Sequence, residues 1–414
     1  MTTHIIKSSE VFVPGGIPTY TYNPRKSKNI EDKLEDSATS FKLIVVTGPT
    51  KSGKTVLVNK IFPRGEALWI DGGSITSEDN FWEQVVSELG GYTEEQLEQG
   101  RELQCTLDGQ FGANVAIAKA ELTGAVSRTD KSTVIKTSHM TNKSKAITLL
   151  QNEKVPVVID DFHYIEKSIQ KKIVRALKAP IMYGVPVICI AIPNRKFDVI
   201  DVERELTGRM ESIELPNWDV SELETIASDG FATLNCSIPE ESIHQLATDA
   251  FGSPFLMQEF CHAVCRKLNI SEQSKTPQVY ICPFNFSEIY KGIAINSGRS
   301  MFDKLKRGPR TRTNRKQRHL KNGSSMDIYG LVMEALKNMK PGVETISYDT
   351  LRASIREIID EDLPQRHEIS RVLEQIADIS YTDSSSTPVI DWQKDDDILT
   401  ITDPFFAFFL KWSE

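Results

Sequence analysis

Residues 45–55, VVTGPTKSGKT, hold four residues at a spacing that suits phosphate binding: Gly48, Gly53, Lys54 and Thr55 follow G-x-x-x-x-G-K-[ST]. The glycines let the backbone curl until its N–H groups face an anion, and a helix that follows adds the positive end of its dipole. The lysine reaches the outer phosphates, and the threonine hydroxyl ligates Mg²⁺. We therefore predict a site for ATP and Mg²⁺, with these nucleotide-binding residues: Gly48, Pro49, Thr50, Lys51, Ser52, Gly53, Lys54, Thr55 and Val56.

A pair of carboxylates ends a second apolar run, in which Asp160 and Asp161 follow Val155–Ile159. Ligands of an open parallel sheet collect at the carboxyl ends of its strands. We expect Asp160 to share the metal with Thr55, and Asp161 to orient or deprotonate the attacking water. His163 has two interpretations, a sensor of the terminal phosphate or a local hydrogen-bonding group.

Further polar residues stand at the ends of later apolar runs. The predicted strand at residues 185–194 ends in Asn194, followed by Arg195; either side chain is expected to point at the terminal phosphate or the attacking water, unless both form an exposed loop tip. Arg204 and Arg209 precede a short predicted strand, where an arginine either pairs locally with glutamate or reaches a neighbouring subunit's nucleotide. The candidate catalytic residues are therefore Asp161, Asn194, Arg195 and Arg209.

The elements that must position these residues form a parallel α/β sheet. FKLIVV, residues 41–46, predicts a buried strand before the loop, and KTVLVNKIF predicts a helix after it. Residues 81–91 predict another helix, and residues 109–129 a β-hairpin or glycine-rich insert. The insert either contacts a subunit or ligand or is a plain surface hairpin.

Together these motifs resemble the P-loop ATPases of the additional-strand group, the AAA+ and STAND types. The nearest likeness is to origin-recognition-type and archaeal-type STAND members. Besides the loop it is carried by DDFHYI (160–165), FGSPFLMQEF (251–260) and PTYTYNPRKSKNIEDKLEDS (18–37). The resemblance implies a helical lid whose Gly252 and Pro254 lie near adenine, with Asn23, Pro24 and Arg25 bordering the base. Asp161 stands where glutamate is commoner, so we expect slow hydrolysis.

The resemblance also suggests a domain order, and it covers roughly residues 18–270. Three helical patterns after residue 326, followed by two or three predicted strands, resemble a winged helix. The predicted domains are an adenine-side segment (1–40), a P-loop core (41–218), a helical lid (219–298), a basic linker (299–325) and a winged-helix-like domain (326–414).

Charge is unevenly distributed along a chain of net charge −8. Residues 299–321 carry ten Lys/Arg against one Asp, and residues 326–414 carry eight Lys/Arg against eighteen Asp/Glu. Nucleic-acid backbones select lysine and arginine, so the acidic module is predicted to contact protein or to be autoinhibitory. The basic segment binds nucleic acid, pairs with the acidic module, or serves as a spacer.

Composition limits the class of protein. No run approaches the roughly 20 apolar residues that span a bilayer, and the start lacks the pattern of a signal peptide. The six cysteines are scattered, which is typical of a reducing cytoplasm. Cys261 and Cys265 are one helical turn apart, and we interpret them as a buried face rather than a metal site.

The leading hypothesis is an oligomeric ATPase switch that couples nucleotide state to assembly or partner binding, by analogy with antiviral and mobile-element regulators. One alternative is a DNA-binding loader or remodeller that uses the basic segment. Another is a scaffold that binds ATP without hydrolysing it. A small-molecule kinase is disfavoured because the sequence shows no constellation for a phosphate acceptor.

Overall fold

The structure is a computed structural model that describes residues 5–90, 141–192, 208–280, 286–312, 314–383 and 388–413. The predicted insert at 109–129, together with Asn194, Arg195 and Arg204, lies outside the described residues. The chain divides into two compact units. The first comprises residues 1–23, 49–52 and 216–414, and the second comprises residues 24–48 and 53–215.

Helices and short strands alternate along the described chain. The helices are α1 (Ser8–Val11), α2 (Ile30–Ala38), α3 (Lys54–Ile61), α4 (Glu78–Glu88), α5 (Asn142–Glu153), α6 (Lys167–Met182), α7 (Val220–Thr233), α8 (Glu240–Asp249), α9 (Pro254–Lys267), α10 (Phe286–Arg307), α11 (Ile328–Met339), α12 (Tyr348–Ile358), α13 (Arg366–Asp383) and α14 (Pro404–Trp412). The strands are β1 (Leu43–Thr47), β2 (Leu68–Asp71), β3 (Val157–Asp160), β4 (Val187–Ile190), β5 (Met210–Glu214), β6 (Cys236–Ser237), β7 (Gln278–Val279), β8 (Arg318–His319), β9 (Ser325–Met326), β10 (Thr345–Ser347), β11 (Ile390–Gln393) and β12 (Ile398–Ile401).

The second unit is built on a five-stranded parallel sheet with the order β2-β3-β4-β1-β5. Strand β4 lies between the strand that precedes the phosphate loop and the strand that ends in Asp160. This inserted strand defines the additional-strand arrangement, and the predicted α/β class is confirmed.

Both faces of the sheet are covered by helices, which explains why its strands are apolar without alternation. Leu43 and Val45 of β1 pack with α4, α5 and α6 on one face. Ile44 and Val46 pack with α2 and α3 on the other. Successive side chains of a strand point to opposite faces, so every residue of β1 must be apolar or small to be buried.

The predicted start of β1 is wrong by two residues. Phe41 has a left-handed backbone with φ 56°, is 61% exposed and precedes the strand, which begins at Leu43. Its ring lies against Gly184, where a Cβ would be 3.2 Å from Phe41 Cε1. An apolar run shows that a strand is near but not where its extended backbone begins.

The first unit contains a helical part around α7, α8 and α9. Phe231, Leu246 and Phe260 are buried in its core, which also includes Tyr290 of α10. Cys261 and Cys265 are both free and buried on α9, as the turn spacing predicted.

Its C-terminal part is a second hydrophobic core of three helices and a small sheet. Helices α11, α12 and α13 pack with strands β10, β11 and β12, which form an antiparallel sheet of order β10-β12-β11. The helices match those the periodicity predicts, and β11 and β12 form a hairpin after them. The domain boundaries and the winged-helix assignment stay predictions.

The basic segment differs from the expected linker. Helix α10 continues to Arg307, so the segment 299–325 begins inside a helix. Lys306 pairs with Glu334 at 2.5 Å, and Arg315 pairs with Asp327 at 2.6 Å. For these side chains the structure shows pairing with the acidic module, one of the expected alternatives.

Arg318 is a buried arginine of this segment and yields a stability prediction. It is 7% exposed and lies 3.6 Å from Glu361 and 3.2 Å from Glu368. Replacing Arg318 with methionine leaves both carboxylates without the cation they share, and should lower the free energy of unfolding by about 1–3 kcal/mol. Urea denaturation measures this, and Arg312→Met, at an exposed position, is the control that should change little. Equal effects of the two substitutions would contradict the structural role.

Within the described ranges, no helix combines the length and apolar character that crossing a bilayer requires.

Candidate nucleotide-binding site

The phosphate loop joins β1 to α3, between a buried strand and a helix as predicted. Lys51 (φ 57°) and Gly53 (φ 92°) both have left-handed backbone, which curls the chain before α3 starts at Lys54. Gly53 supplies this conformation without the steric cost that a side chain would add. A curl of this kind lets backbone N–H groups face an anion at the N-terminus of α3, where negative charge is favoured.

Lys54 is held inside the loop. It is 9% exposed, and its Nζ donates to the carbonyl oxygen of Gly48 at 2.9 Å. Burial lowers the pKa of Lys54 to about 8, although Asp161 and Asp160 oppose that shift. The ammonium is thus a poorly hydrated cation at the base of the curl, placed to gain from an anionic partner.

Thr55 and Asp160 meet at the carboxyl edge of the sheet, as predicted. The Thr55 hydroxyl donates to Asp160 Oδ1 at 3.2 Å, and that oxygen also accepts from the backbone N–H of Asp161 at 3.0 Å. Burial, and then the neighbouring Asp161, raise the pKa of Asp160. A hydroxyl and a carboxylate are hard oxygen donors, so this pair fits Mg²⁺.

Asp161 begins the short 3₁₀ turn Phe162–Tyr164 with a left-handed backbone at φ 50°. Burial raises its pKa, and Lys54 opposes the rise. Aspartate and asparagine tolerate this backbone better than most residues. The turn fixes the direction in which the carboxylate leaves the strand.

A buried glutamine secures that turn, and the sequence did not reveal it. Gln170 of α6 is 2% exposed, and its Nε2 donates to the carbonyls of Phe162 at 3.0 Å and Ile165 at 2.9 Å. His163 is 6% exposed with its ring 4.3 Å from that of Tyr164. Such burial favours the local interpretation of His163 over the phosphate sensor.

Asp71 and Gly72 are a further part of the site that sequence reasoning missed. Asp71 ends β2 and pairs in register with Asp160, and its charge contributes to raising the pKa of Asp161. A Cβ on Gly72 would lie 2.4 Å from the carbonyl oxygen of Asp161 and 2.9 Å from that of Asp160. The run LWIDGG could have been recognised from the sequence, because its aspartate ends an apolar strand at the carboxyl edge of the sheet, as Asp160 does.

Gly72→Ala should displace the Asp160–Asp161 backbone because the added methyl group overlaps two main-chain carbonyls. We expect a loss of about 1–3 kcal/mol in stability and at least a tenfold higher Mg²⁺ requirement for nucleotide binding. Thermal unfolding and Mg²⁺ titrations measure the two effects. Gly73→Ala is the matched control, since its Cβ would meet nothing closer than the Asp71 side chain at 3.2 Å. Wild-type metal dependence in Gly72→Ala would refute the packing argument.

Other predicted residues lie elsewhere in the fold. Arg25 belongs to the second unit and is 5% exposed, with left-handed backbone at φ 51°. Pro254 belongs to the first unit as the opening residue of α9, after the N-cap Ser253. Their adenine-side roles stay predictions, and Asn194 and Arg195 lie outside the described residues.

Arg209 lies at the edge of the sheet opposite the phosphate loop. It precedes Met210, which pairs with Leu43 at the start of β1, whereas the loop follows the end of β1. Along a strand of that length the separation is about 15 Å. The exposed Arg209 is therefore too far away to serve its own chain's loop, and a role in trans and a local pairing stay the two predicted alternatives.

Comparison with known proteins found no matching family model and no matching curated protein. Among solved structures, a Walker-type ATPase of Pyrococcus abyssi aligns with a TM-score of 0.53 and 13% identity, covering 93% of this chain and 95% of its own. The ORC2 protein of Aeropyrum pernix aligns with a TM-score of 0.47 and 11% identity over 99% and 97% of the two chains. Cdc6p of Pyrobaculum aerophilum aligns with a TM-score of 0.43 and 11% identity over 99% of each chain.

At sequence identities this low, a structural similarity shows the fold alone. The Pyrococcus alignment covers nearly all of both chains. The chain has the fold of a Walker-type, P-loop ATPase.

Proposed function

We propose that this protein binds ATP with Mg²⁺, hydrolyses it slowly, and acts as a nucleotide-dependent switch. The observation that carries the proposal is the 3.2 Å contact of Thr55 with Asp160, beside the buried Lys54 and the half-buried Asp161. A strand, a phosphate loop and two acidic residues thus converge on one edge of the sheet.

Each residue has a distinct part in this chemistry. Backbone N–H groups of residues 50–56 would cradle the phosphates, and the Lys54 ammonium would exchange the Gly48 carbonyl for a phosphate oxygen. Thr55 and Asp160 would hold Mg²⁺, which would neutralise charge on the phosphate oxygens. Asp161 orients the water and accepts its proton as the water oxygen bonds to the γ-phosphorus. The bond from that phosphorus to the β,γ-bridging oxygen breaks, giving ADP and phosphate.

The raised pKa of Asp161 suits a general base, because a more basic carboxylate holds the water proton more strongly. Its side chain is one methylene shorter than the commoner glutamate. We infer a slow ATPase for this reason, and Arg25 and Pro254 as adenine-side residues follow from the resemblance.

Assembly completes the proposed switch. Arg209 is exposed and distant from its own loop, so the arginine that stabilises the transition state would come from a neighbouring subunit. We propose a homo-oligomer whose winged-helix-like C-terminal module contacts a partner protein. A role in antiviral or mobile-element biology is an analogy with the family it resembles.

Single-turnover hydrolysis with Mg²⁺, followed by light scattering with ATP, with ADP and without nucleotide, tests this function. We expect ADP to form over minutes, and the particle mass to differ between ATP and ADP. ATP bound but never hydrolysed would favour the scaffold. Equal mass in all conditions would exclude a switch that acts through assembly.

One observation favours a second candidate, a DNA-dependent ATPase. Arg310, Arg312 and Lys316 are exposed in the basic segment, whereas Arg315 and Arg318 are held in ion pairs. Neutralising the three exposed residues should abolish any stimulation by DNA and its steep salt dependence, and leave the fold intact. Absence of stimulation by DNA or RNA in the wild type would remove this candidate.

A further inference from the structure

The tip of the phosphate loop is gripped by aromatic residues from distant parts of the chain. The Nζ of Lys51 lies 3.6 Å from the ring centroid of Phe405 and 4.7 Å from that of Phe255. The two rings also touch each other edge to face, with centroids 5.1 Å apart. Residues 49–52 belong with Phe255 and Phe405 in the first compact unit, although the residues on either side belong to the second.

Both phenylalanines belong to the same local motif, in which an N-cap residue is followed by proline and phenylalanine at the start of a helix. Ser253-Pro254-Phe255 opens α9, and Asp403-Pro404-Phe405 opens α14, each with a capping side chain followed by proline at the first helical turn. Proline is preorganised for that position, and the capped turn fixes the next residue. The first turns of α9 and α14 thus each place a phenylalanine ring against the ammonium of Lys51.

A third contact holds the neighbouring residue of the loop. The Trp218 indole donates its Nε1–H to the carbonyl oxygen of Ser52 at 2.9 Å. Gly252 in turn packs against Trp218, because a Cβ there would lie 3.3 Å from the Trp218 carbonyl oxygen. The loop tip is therefore held by side chains from positions 218, 255 and 405.

Helix α14 cannot shift alone, because it is buried on two sides. Phe405 and Phe408 belong to the core of the helical part, while Phe406 and Phe409 belong to the core of the C-terminal part. A Cβ on Gly298 would lie 2.3 Å from the Cβ of Phe409, so α10 and α14 are in close contact. Any movement of the first turn of α14 therefore affects both cores.

Phosphate oxygens and aromatic faces compete for the same ammonium. Lys51 is the second lysine of the phosphate loop, and its cation rests on ring faces near the Asp403 carboxylate. A cation–π contact is weaker than a charge-assisted hydrogen bond to phosphate. Two binding events that use the same group are linked reciprocally. Where phosphate displaces Lys51 from the rings, a substitution that weakens the contact between Lys51 and the rings therefore increases the affinity for nucleotide.

We propose that Lys51 couples nucleotide at the phosphate loop to helix α14, because phosphate draws its ammonium away from Phe255 and Phe405 and releases the first turn of that helix. This coupling rests on the proposed ATP binding and adds a route by which the nucleotide state reaches the C-terminal part.

Titration with a fluorescent ATP analogue and Mg²⁺ tests the coupling. Phe405→Leu should tighten binding roughly threefold to fivefold, the effect of one cation–π contact made by an exposed lysine. In a Lys51→Met background the same change should have no effect. Phe408→Leu is the matched control: Phe408 is buried on the same helix but packs on Phe260 and Tyr290, so affinity should stay within about twofold of the wild type, while stability falls by an amount comparable to Phe405→Leu.

Hydrogen exchange of residues 403–412 gives a second readout that a merely structural role would not move. Saturating ATP should speed exchange in the first turn of α14 in the wild type and leave it unchanged in Lys51→Met. Weaker or unchanged binding by Phe405→Leu, or unchanged exchange in the wild type with ATP bound, overturns the coupling alone. Failure of the wild type to bind the analogue overturns the proposed function as well.

Discussion

Lys54→Met should abolish ATP binding and, at the same time, make the folded protein more stable. The lysine is 9% exposed, and its ammonium has a backbone carbonyl as its 2.9 Å partner. Without that charge the outer phosphates lose their main cation inside the loop. We expect the dissociation constant for ATP to rise at least about a hundredfold, as loss of a buried charge-assisted contact implies.

The gain in stability follows from the cost of burying an ammonium. The pKa of Lys54 is lowered from 10.5 to about 8, mainly by burial, so the unfolded chain binds this proton more tightly than the folded one. The buried ammonium therefore lowers the free energy of unfolding below pH 8, and this destabilisation decreases as the pH rises from 8 to 10.5. A methionine has no such penalty, and near pH 7 the variant should be about 1–3 kcal/mol more stable.

Isothermal titration with ATP and Mg²⁺, and urea denaturation at pH 7 and at pH 9.5, measure both effects. The stability difference between variant and wild type should narrow at the higher pH. Lys60→Met, at an exposed position of the same helix, is the control and should leave affinity and stability nearly unchanged. ATP binding of wild-type strength by Lys54→Met would show that the loop is not the phosphate site.

The central sheet could be predicted from the sequence because it depends on local patterns. A short apolar run, a glycine-lysine loop and an apolar run ending in aspartates define strand, turn and edge with little tertiary context. Thr55 and Asp160 are 105 positions apart, yet the rule that strand ends share one edge brings them together in the prediction, and the structure places them 3.2 Å apart.

What escaped prediction depends on packing between distant segments. Gly72 is required because carbonyls of residues 160 and 161 lie against it, and no local pattern of residues 68–73 shows that approach. Gln170 stabilises the turn by donating to the carbonyl oxygens of Phe162 and Ile165, and it lies on the helix that follows this turn. In the sequence, Lys51 occupies an unspecified position of the phosphate-loop pattern. Its contacts with Phe255 and Phe405 become visible only in the fold.

The charge pattern gave a partial answer for a related reason. Counting charges identified the basic segment and the acidic module, but could not decide between an external partner and the module itself. The geometry of Arg315 and Arg318 shows internal pairing for those two, since each lies within ion-pair distance of carboxylates on the module. Exposed Arg310 and Arg312 keep the question of an external partner open to experiment.

Asp161→Asn should separate nucleotide binding from hydrolysis. Asparagine adopts the left-handed backbone found at φ 50° as readily as aspartate does, so the turn at Phe162–Tyr164 should be preserved. The amide has nearly the same shape but cannot accept a proton from water. We expect the single-turnover rate to fall by about 10²–10⁴-fold, the usual contribution of a general base, and ATP affinity to change little.

Asp71→Asn is the matched control, because Asp71 stands at the same edge and its Oδ1 accepts from the Gly73 N–H at 2.9 Å. It should retain most of the hydrolysis, whereas Asp160→Asn should raise the Mg²⁺ concentration needed for binding. If Asp71→Asn and not Asp161→Asn loses hydrolysis, the base has been assigned to the wrong strand. The order of the three variants therefore distinguishes a base at 161 from a metal ligand at 160 and from a carboxylate at 71 that supports its own turn.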